Sequence, residues 1–191
     1  MQKRKATYSI EPLIINRWSS RAMTGAEISL GELMRLFEAA RWAQSSFNNQ
    51  PWRFIYALRS SDHWKGFLNL LVPSNRIWAQ NAAVLVIVIS KMVFDHNGKP
   101  SRTHSFDTGA AMQNFALQGT HMGLVVHGME GFNYEKAREV ATVPAEYSVE
   151  AMFAVGQYGD REKLPKELQE RDAPSNRKSL EEFVFEGKLK K

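Results

Sequence analysis

Apolar residues at spacings of three and four predict an amphipathic helix early in the chain. They follow Ser29-Leu30-Gly31-Glu32, a capping box in which each polar side chain can bond the other residue's backbone amide. The pattern predicts a helix over about 30–43 with one buried stripe. A longer stretch with few charges, from about Ser105 to Met122, predicts a central helix that Gly123 closes.

Continuous apolar segments predict the strands of one sheet. The segment 82–89, AAVLVIVI, is apolar on both faces and rich in β-branched residues, so it predicts a central strand covered on both sides. Shorter segments predict strands over 54–58, 124–127 and 149–155. The remaining predictions are a short helix capped by Ser61 or Asp62, an N-cap at Asn75 before a buried Trp78, a turn at 95–99, a glycine-bearing loop at 128–133 and a small helix over 134–141.

Helices and strands that alternate around one sheet predict an α+β or α/β fold. A chain of 191 residues is long enough for one well-buried domain and short for two, so residues 1–191 are predicted to form a single domain. The final segment, 160–191, is charged, and a second capping box at Ser179 precedes the apolar run Phe183–Phe185. A polar arm that ends in an apolar anchor predicts packing beyond its own domain, often on a partner subunit.

The composition excludes several classes of protein. The chain has no cysteine, which excludes a disulfide scaffold, a zinc ribbon and a thiol nucleophile and fits a reducing compartment. No apolar run is long enough for a signal peptide or a membrane span, since 82–89 is far below the roughly 20 residues that a span needs. We therefore predict a cytoplasmic protein that does not bind membranes.

The net charge of +5 comes from the two ends of the chain. Six basic residues lie in tails without acids, and the rest of the chain has 19 basic and 20 acidic residues. Basic ends on a neutral body are more often solvated tails, here 1–9 at the N-terminus, than a surface that tracks phosphates. We predict no nucleic-acid partner. The six residues are Lys3, Arg4, Lys5, Lys188, Lys190 and Lys191.

The catalytic motifs of hydrolases, zinc proteases and phosphate-binding loops are missing. The five histidines have no metal-ligand spacing, so no metal site is predicted. His104 and Asp107 could pair across one helical turn, but a capping or surface role is favoured for them. Two polar stretches remain. Arg17-Trp18-Ser19-Ser20-Arg21 suits a phosphate, and 44–50 beside Pro51 and Trp52 suits a flat heteroaromatic ligand, although Trp52 could equally be a core residue.

Taken in order, these stretches resemble the FMN-dependent nitroreductase family. RWSSRAM resembles the family's R-x-S-x-R opening, and AQSSFNNQPWRF resembles P-S-S-x-N-x-Q-P-W-x-F, with Gln44 where many members have proline. NRIW and NAAVLVIVI resemble N-x-x-W and the A-P-V-L strand, with Ala83 in the usual proline position. FDTGAAMQNFALQGTHMGLVVHGMEGFN, VGQYGD and APSNRKSLEEFV complete a similarity that covers about residues 10–187.

The resemblance implies a three-layer α/β/α fold with a central mixed, mostly antiparallel sheet and a C-terminal arm that wraps the partner of a homodimer. FMN would bind between the subunits. Arg17 and Ser19 would hold its phosphate and ribityl chain, Arg21 and Asn75 would approach the pyrimidine edge, and Arg177 would return to the phosphate. Ser45, Ser46 and Asn48 would come from the second chain. The other implied cofactor-binding residues are Trp18, Gln44, Gln50, Met129, Glu130 and Gly131, the last three in a loop whose amides lie near flavin N5.

One position departs from the family pattern. Members often have two basic residues that flank one position here, whereas this chain has Ser175-Asn176-Arg177. One phosphate contact is therefore expected to be lost, and a charge-assisted hydrogen bond contributes about 1.5–3 kcal/mol.

The implied activity is electron transfer from NADH or NADPH to an electron-poor acceptor such as a nitroaromatic or a quinone by a ping-pong mechanism. No side-chain acid or base is required, because the cofactor carries the chemistry. Alternatives within the fold are flavin cleavage, dehalogenation and dehydrogenation. A non-catalytic basic binding protein is the alternative from a different class.

Overall fold

The computed structural model describes residues 4–189, and its regular elements are seven helices and four strands in that range. The strands are β1 (Trp52–Leu58), β2 (Val84–Lys91), β3 (Leu124–Met129) and β4 (Tyr147–Gln157). The helices are α1 (Pro12–Asn16), α2 (Leu30–Arg41), α3 (Trp64–Leu68), α4 (Pro73–Ala79), α5 (His104–His121), α6 (Tyr134–Val140) and α7 (Lys166–Gln169). Short 3₁₀ turns occur at Ser46–Asn48, Arg161–Lys163 and Leu180–Glu182.

The four strands form one sheet in the order β1-β2-β4-β3. Its three pairings are antiparallel, so within residues 4–189 the sheet has no parallel pair, although the prediction allowed for a mixed sheet. Ile87 on β2 lies opposite Ile55 on β1 and Met152 on β4, which places β2 inside the sheet as predicted. The register of β2 and β4 shifts between Val88 and Ile89.

Both faces of β2 are covered, because successive side chains of a strand point to opposite faces. Val84, Val86 and Val88 are buried in a core with α2 and α5. Leu85 and Ile87 are buried in a second core with α3, α4 and α6. Two helical layers therefore enclose the sheet, which confirms the predicted α+β fold with three layers.

The capping signals of the two longest helices are correct. Ser29 Oγ accepts a hydrogen bond from the amide of Glu32 at 3.1 Å, and the amide of Ser29 donates to Glu32 Oε2 at 2.7 Å. Gly123 follows α5 with a φ of +72°, a left-handed conformation that glycine adopts without steric cost. These signals are local in sequence, which is why the pattern was sufficient to place both helices.

Four local predictions are wrong in detail. His63, and neither Ser61 nor Asp62, precedes α3, and Ser61 Oγ instead donates to the carbonyl of Leu58 at 2.8 Å. Helix α4 begins at Pro73 after Val72, so Asn75 lies inside the helix; a proline fits its first turn because no amide is needed there. Strand β3 continues to Met129 and shortens the predicted loop. His104 is half-buried and contacts Ser90 across 2.7 Å, and Asp107 is buried, so the surface role favoured for these two residues is wrong.

The open question about Trp52 is answered by its burial. Its side chain is 6% exposed and belongs to the core that contains α2 and α5. Trp52 is therefore a packing residue. Among the helices of residues 4–189, none is long and apolar enough to cross a membrane.

Candidate functional site

The segment Arg17–Arg21 follows α1 and is held in place by two buried side chains. Asp172 is 1% exposed, and its carboxylate accepts a hydrogen bond from Ser20 Oγ at 2.9 Å and from the amide of Arg21 at 2.6 Å. His127 Nδ1 lies 2.9 Å from the carbonyl oxygen of Ser20. Since a carbonyl only accepts, Nδ1 carries the proton of the neutral ring. Asp172 and His127 thus fix the backbone that carries Arg17 and Ser19.

Burial lowers the pKa of His127, an effect that is only partly offset by its bond to the carbonyl of Ser20. The ring also packs against Trp78, with 4.5 Å between the ring centroids. A neutral imidazole suits this apolar setting, because burial penalises the charged form. Neither Asp172 nor His127 was selected from the sequence, since both contacts join positions more than 100 residues apart.

A cavity of about 930 Å³ lies between the N-terminal segment, α1 and the C-terminal segment. Its wall contains five cationic side chains, and within residues 4–189 no Asp or Glu lines it. Burial, followed by the charge of Arg177, lowers the pKa of Arg17, as expected for guanidinium groups gathered without a carboxylate. The cavity is therefore suited to a ligand with more than one negative charge. The five residues are Arg4, Lys5, Arg17, Arg177 and Lys178.

A second cavity of about 360 Å³ shares Arg17 and Gln113 with the first. Ser19 lines it, and the hydroxyl of Ser19 accepts a hydrogen bond from Arg17 Nη1 at 3.2 Å. The floor is one face of α5, at spacings of three and four. In the sequence, this face of α5 is visible as a glycine followed by small or flexible residues at these spacings, but the pattern did not lead to a prediction of the cavity. These α5 residues are Gly109, Met112, Gln113 and Ala116.

The loop after β3 approaches α4 closely. The side-chain amide of Asn75 donates to the carbonyl of Gly131 at 3.1 Å, and the amide of Val72 donates to the same oxygen at 3.1 Å. A Cβ at Gly131 would lie 2.7 Å from Asn75 Nδ2 and 2.9 Å from Val72 Cγ2, so only glycine fits without displacement. Met129 is 4% exposed and belongs to the core, whereas Glu130 is exposed.

The polar stretch Gln44–Gln50 has an unusual backbone. Phe47, Asn48 and Gln50 have φ values of 54°, 53° and 48°, in the left-handed region that side chains disfavour. Such conformations cost of the order of 1–3 kcal/mol each and persist where surrounding contacts impose them. Three of the four positions 47–50 have this conformation, which makes the loop a candidate functional segment.

Two anchors hold this strained loop in place. Asp107, at the start of α5, accepts hydrogen bonds from the amide of Ser46 and from Thr103 Oγ1, each at 3.0 Å, and the hydroxyls of Thr103 and Ser46 lie 2.8 Å apart. At the other end, the amide of Gln50 donates to Ser45 Oγ at 3.0 Å. The buried carboxylate of Asp107 therefore positions the loop and is not paired with His104.

The structure brings together only part of the predicted set. Arg17, Ser19 and Arg177 meet at the two cavities, and Asn75 meets Gly131 at the loop after β3. Neither cavity is lined by Arg21, which is half-buried, or by Trp18, whose ring centroid lies 6.4 Å from that of Tyr158. No residue of 44–50 lines either cavity.

Comparison with known proteins identifies relatives along most of the chain. The model of the nitroreductase family matches residues 14–75 and 60–157. Protein DrgA of Synechocystis sp. is 28% identical over 174 residues, covering 78% of each chain. A crystal structure of an oxidoreductase containing FMN is 40% identical, with a TM-score of 0.94 and coverage of 98% of this chain and 96% of that one. A nitroreductase-like protein from Desulfovibrio desulfuricans, solved in complex with FMN, is 23% identical, with a TM-score of 0.73 and coverage of 95% and 100%.

Proposed function

This chain belongs to the nitroreductase family, and from that membership we propose that it is an FMN-dependent oxidoreductase. It takes electrons from NADH or NADPH and passes them to an electron-poor acceptor such as a nitroaromatic or a quinone. The observation that carries the proposal is the cationic cavity, in which Arg17 and Arg177 gather with no acid among the described lining residues.

The charge of the cavity fits the phosphate of FMN. A phosphate monoester carries about −1.5 to −2 charges at neutral pH and offers three acceptor oxygens. Arg17 and Arg177 supply planar guanidinium donors on two segments far apart in sequence, which suits the separate oxygens of one phosphate. Ser19, bonded to Arg17, lies on the inner side, where a ribityl hydroxyl would follow the phosphate.

The loop after β3 fits one edge of a flat ring system. Gly131 permits the backbone to approach α4 closely, and its carbonyl fixes the side chain of Asn75. In the proposed complex, Asn75 faces the pyrimidine edge, and the backbone of Glu130 and Gly131 lies beside N5. Rigid placement by existing hydrogen bonds means that little ordering free energy is lost on binding.

FMN, when bound, supplies two-electron transfer between the nicotinamide and the acceptor, which therefore bind alternately. The protein's own residues bind and orient. Asp172 and His127 hold the segment that carries Arg17 and Ser19, and Asp107 holds the loop that carries Ser46.

We further propose that the working unit is a homodimer with one site at each subunit boundary. Trp42, Phe47 and Phe106 are 74%, 81% and 77% exposed, and exposed apolar side chains of this size can mark a surface that a partner covers. Phe47 lies in the strained loop, and Phe106 adjoins Asp107, which holds that loop, so a partner that covers these rings would receive Ser45, Ser46 and Asn48 at its cavity. Gln44 and Gln50 belong to the same loop, and the arm 160–191 would wrap the partner.

The test is the absorbance spectrum of purified protein after incubation with FMN and gel filtration. We expect bound flavin, a dimer by light scattering, and loss of the flavin bands when NADH or NADPH is added without oxygen. Arg177→Ala should retain less FMN than Arg161→Ala, a change at an exposed arginine of the same C-terminal segment. Protein that binds no FMN, or bound FMN that neither nicotinamide reduces, contradicts the proposal.

A further inference from the structure

We propose that Arg4 binds the cofactor phosphate and supplies the second cation that is missing beside Arg177. The inference rests on the proposed function, since it concerns the same cavity. It assigns a binding role to a residue of the N-terminal segment, which the sequence analysis interpreted as a solvated tail. Ser175, which flanks Asn176 opposite Arg177, occupies the position where the family resemblance led us to expect another basic side chain.

The first argument is the fixed position of the Arg4 guanidinium. Its Nη1 donates to the carbonyl of Ile15 at 2.9 Å and to the carbonyl of Arg17 at 2.7 Å. These bonds join the N-terminal segment to the end of α1, directly before the Arg17–Arg21 segment. A solvated tail would not hold its side chain on two backbone carbonyls, so Arg4 is part of the cavity wall.

The second argument is the part of Arg4 that remains free. Its Nε is buried, and within residues 4–189 it has no hydrogen-bond partner. A buried donor without a partner costs about 1–3 kcal/mol. The edge formed by Nε and Nη2 is the one that binds an oxyanion through two parallel hydrogen bonds. Within residues 4–189 Nη2 also forms no hydrogen bond, so Arg4, which lines a cavity without acids, keeps unsatisfied donors for an oxyanion; Nη2 is the accessible one, and Nε is reached when the side chain shifts toward the ligand.

Arg17 and Arg177 repeat the same arrangement. Nη1 of Arg17 donates to Ser19 Oγ, and Nη1 of Arg177 donates to the carbonyls of Ser175 and Asn176. Among the described residues, neither guanidinium forms a salt bridge, and neither does that of Arg4. Each of the three arginines is thus held through one nitrogen, and all three line the same cavity, where Nη2 of each forms no hydrogen bond within residues 4–189.

The electrostatics of the three groups agree with this arrangement. Burial, followed by the charges of Arg177 and Arg17, lowers the pKa of Arg4. Burial, followed by the charge of Arg177, also lowers the pKa of Arg17. Like charges that destabilise one another in this way are relieved by an anion between them, which favours a phosphate dianion over a neutral ligand.

The experiment compares FMN with riboflavin, which has the same ring and no phosphate. Binding to apoprotein is measured by quenching of flavin fluorescence for the wild type, Arg4→Ala and Lys65→Ala, a charge-matched control on the exposed side of α3. We expect Arg4→Ala to weaken FMN binding about 10- to 100-fold, as for a lost charge-assisted bond. Riboflavin binding should be unchanged, and Lys65→Ala should bind both ligands like the wild type.

A double-mutant cycle separates direct contact from an effect through Arg17. If Arg4 binds phosphate itself, Arg4→Ala weakens FMN binding further in an Arg17→Ala background. If Arg4 only supports Arg17, the second substitution has no effect there, and the inference is overturned. Equal FMN affinities of the wild type and Arg4→Ala also overturn it while the proposed function stands. Wild-type protein that binds neither flavin defeats the proposed function itself.

Discussion

Asp172→Asn tests whether the buried carboxylate holds the segment Arg17–Arg21. The side chain keeps its shape but exchanges one acceptor oxygen for an NH₂ group. The two acceptor oxygens of Asp172 serve Ser20 Oγ at 2.9 Å and the amide of Arg21 at 2.6 Å. An asparagine can accept only one of these bonds, so its NH₂ group must face the other donor.

The expected loss follows from this count. Ser20 Oγ already accepts a hydrogen bond from the amide of Ala22 at 3.1 Å, so its own proton needs the carboxylate. Asp172 is 1% exposed, and water cannot easily replace the missing acceptor. A hydrogen bond to a charged group contributes about 1.5–3 kcal/mol. For a chain of this length, about 2–4 °C of melting temperature corresponds to each kcal/mol, so the melting temperature should fall by about 3–12 °C.

The assays are thermal unfolding and urea unfolding of apoprotein, both followed by tryptophan fluorescence, with Asp62→Asn as the matched control. Asp62 is exposed, so its substitution should change the free energy of unfolding by less than about 0.5 kcal/mol. Ser20→Ala and the double variant complete a cycle, for which direct contact predicts a coupling free energy of about 0.5–3 kcal/mol. FMN affinity should also fall in Asp172→Asn, because the same segment carries Arg17.

Two results would refute the reasoning. If Asp172→Asn unfolds at the same urea concentration as the wild type, the carboxylate does not stabilise the segment. If the losses in the free energy of unfolding from Ser20→Ala and Asp172→Asn add up in the double variant, the two side chains do not share a hydrogen bond.

Two further predictions concern the loop after β3 and the histidine on β3. Gly131→Ala places a Cβ 2.7 Å from Asn75 Nδ2, so titration with FMN should show weaker binding than in the wild type. In the control Gly66→Ala, the new Cβ lies 3.7 Å from Val140 Cγ1, and FMN affinity should not change. Equal FMN affinities of the two variants would contradict this prediction. Burial lowers the pKa of His127, so below about pH 6.5 the unfolded chain binds more protons than the folded one. The free energy of unfolding of the wild type therefore decreases as the pH is lowered. His127→Asn should lose less stability than the wild type in urea unfolding between about pH 7 and pH 5.5, and parallel slopes would contradict this.

The helices and strands were predictable where the signal is local. The capping box at Ser29, the glycine after α5 and the apolar run of β2 each depend on residues within a few positions of one another. The errors were also local in origin: Ser61 and Asp62 are good caps in general, but Ser61 bonds the end of β1. A cap preference cannot reveal that a preceding strand offers a competing carbonyl.

The site was predictable in composition and not in assembly. Family resemblance selected Arg17, Ser19 and Arg177, which meet at the two cavities, and Asn75 with Gly131, which meet at another loop. Arg4 was assigned to a solvated tail, because charge counting cannot tell a free side chain from one held on two carbonyls. Sequence reasoning missed Asp172 and His127 because their partners lie 152 and 107 positions away.

The sequence by itself determined which residues lie on the two faces of the sheet and where the main helices end. It also determined which arginine, serine and amide groups are available to bind a ligand. These depend on alternation, periodicity and residue chemistry over short distances. Only the tertiary structure decided which arginines gather in an acid-free cavity, which buried acceptors hold Ser20, and which strained loop is left outside that cavity. Such groupings arise where segments far apart in the sequence pack against one another. Burial then strengthens each polar contact by an amount that the local sequence does not encode.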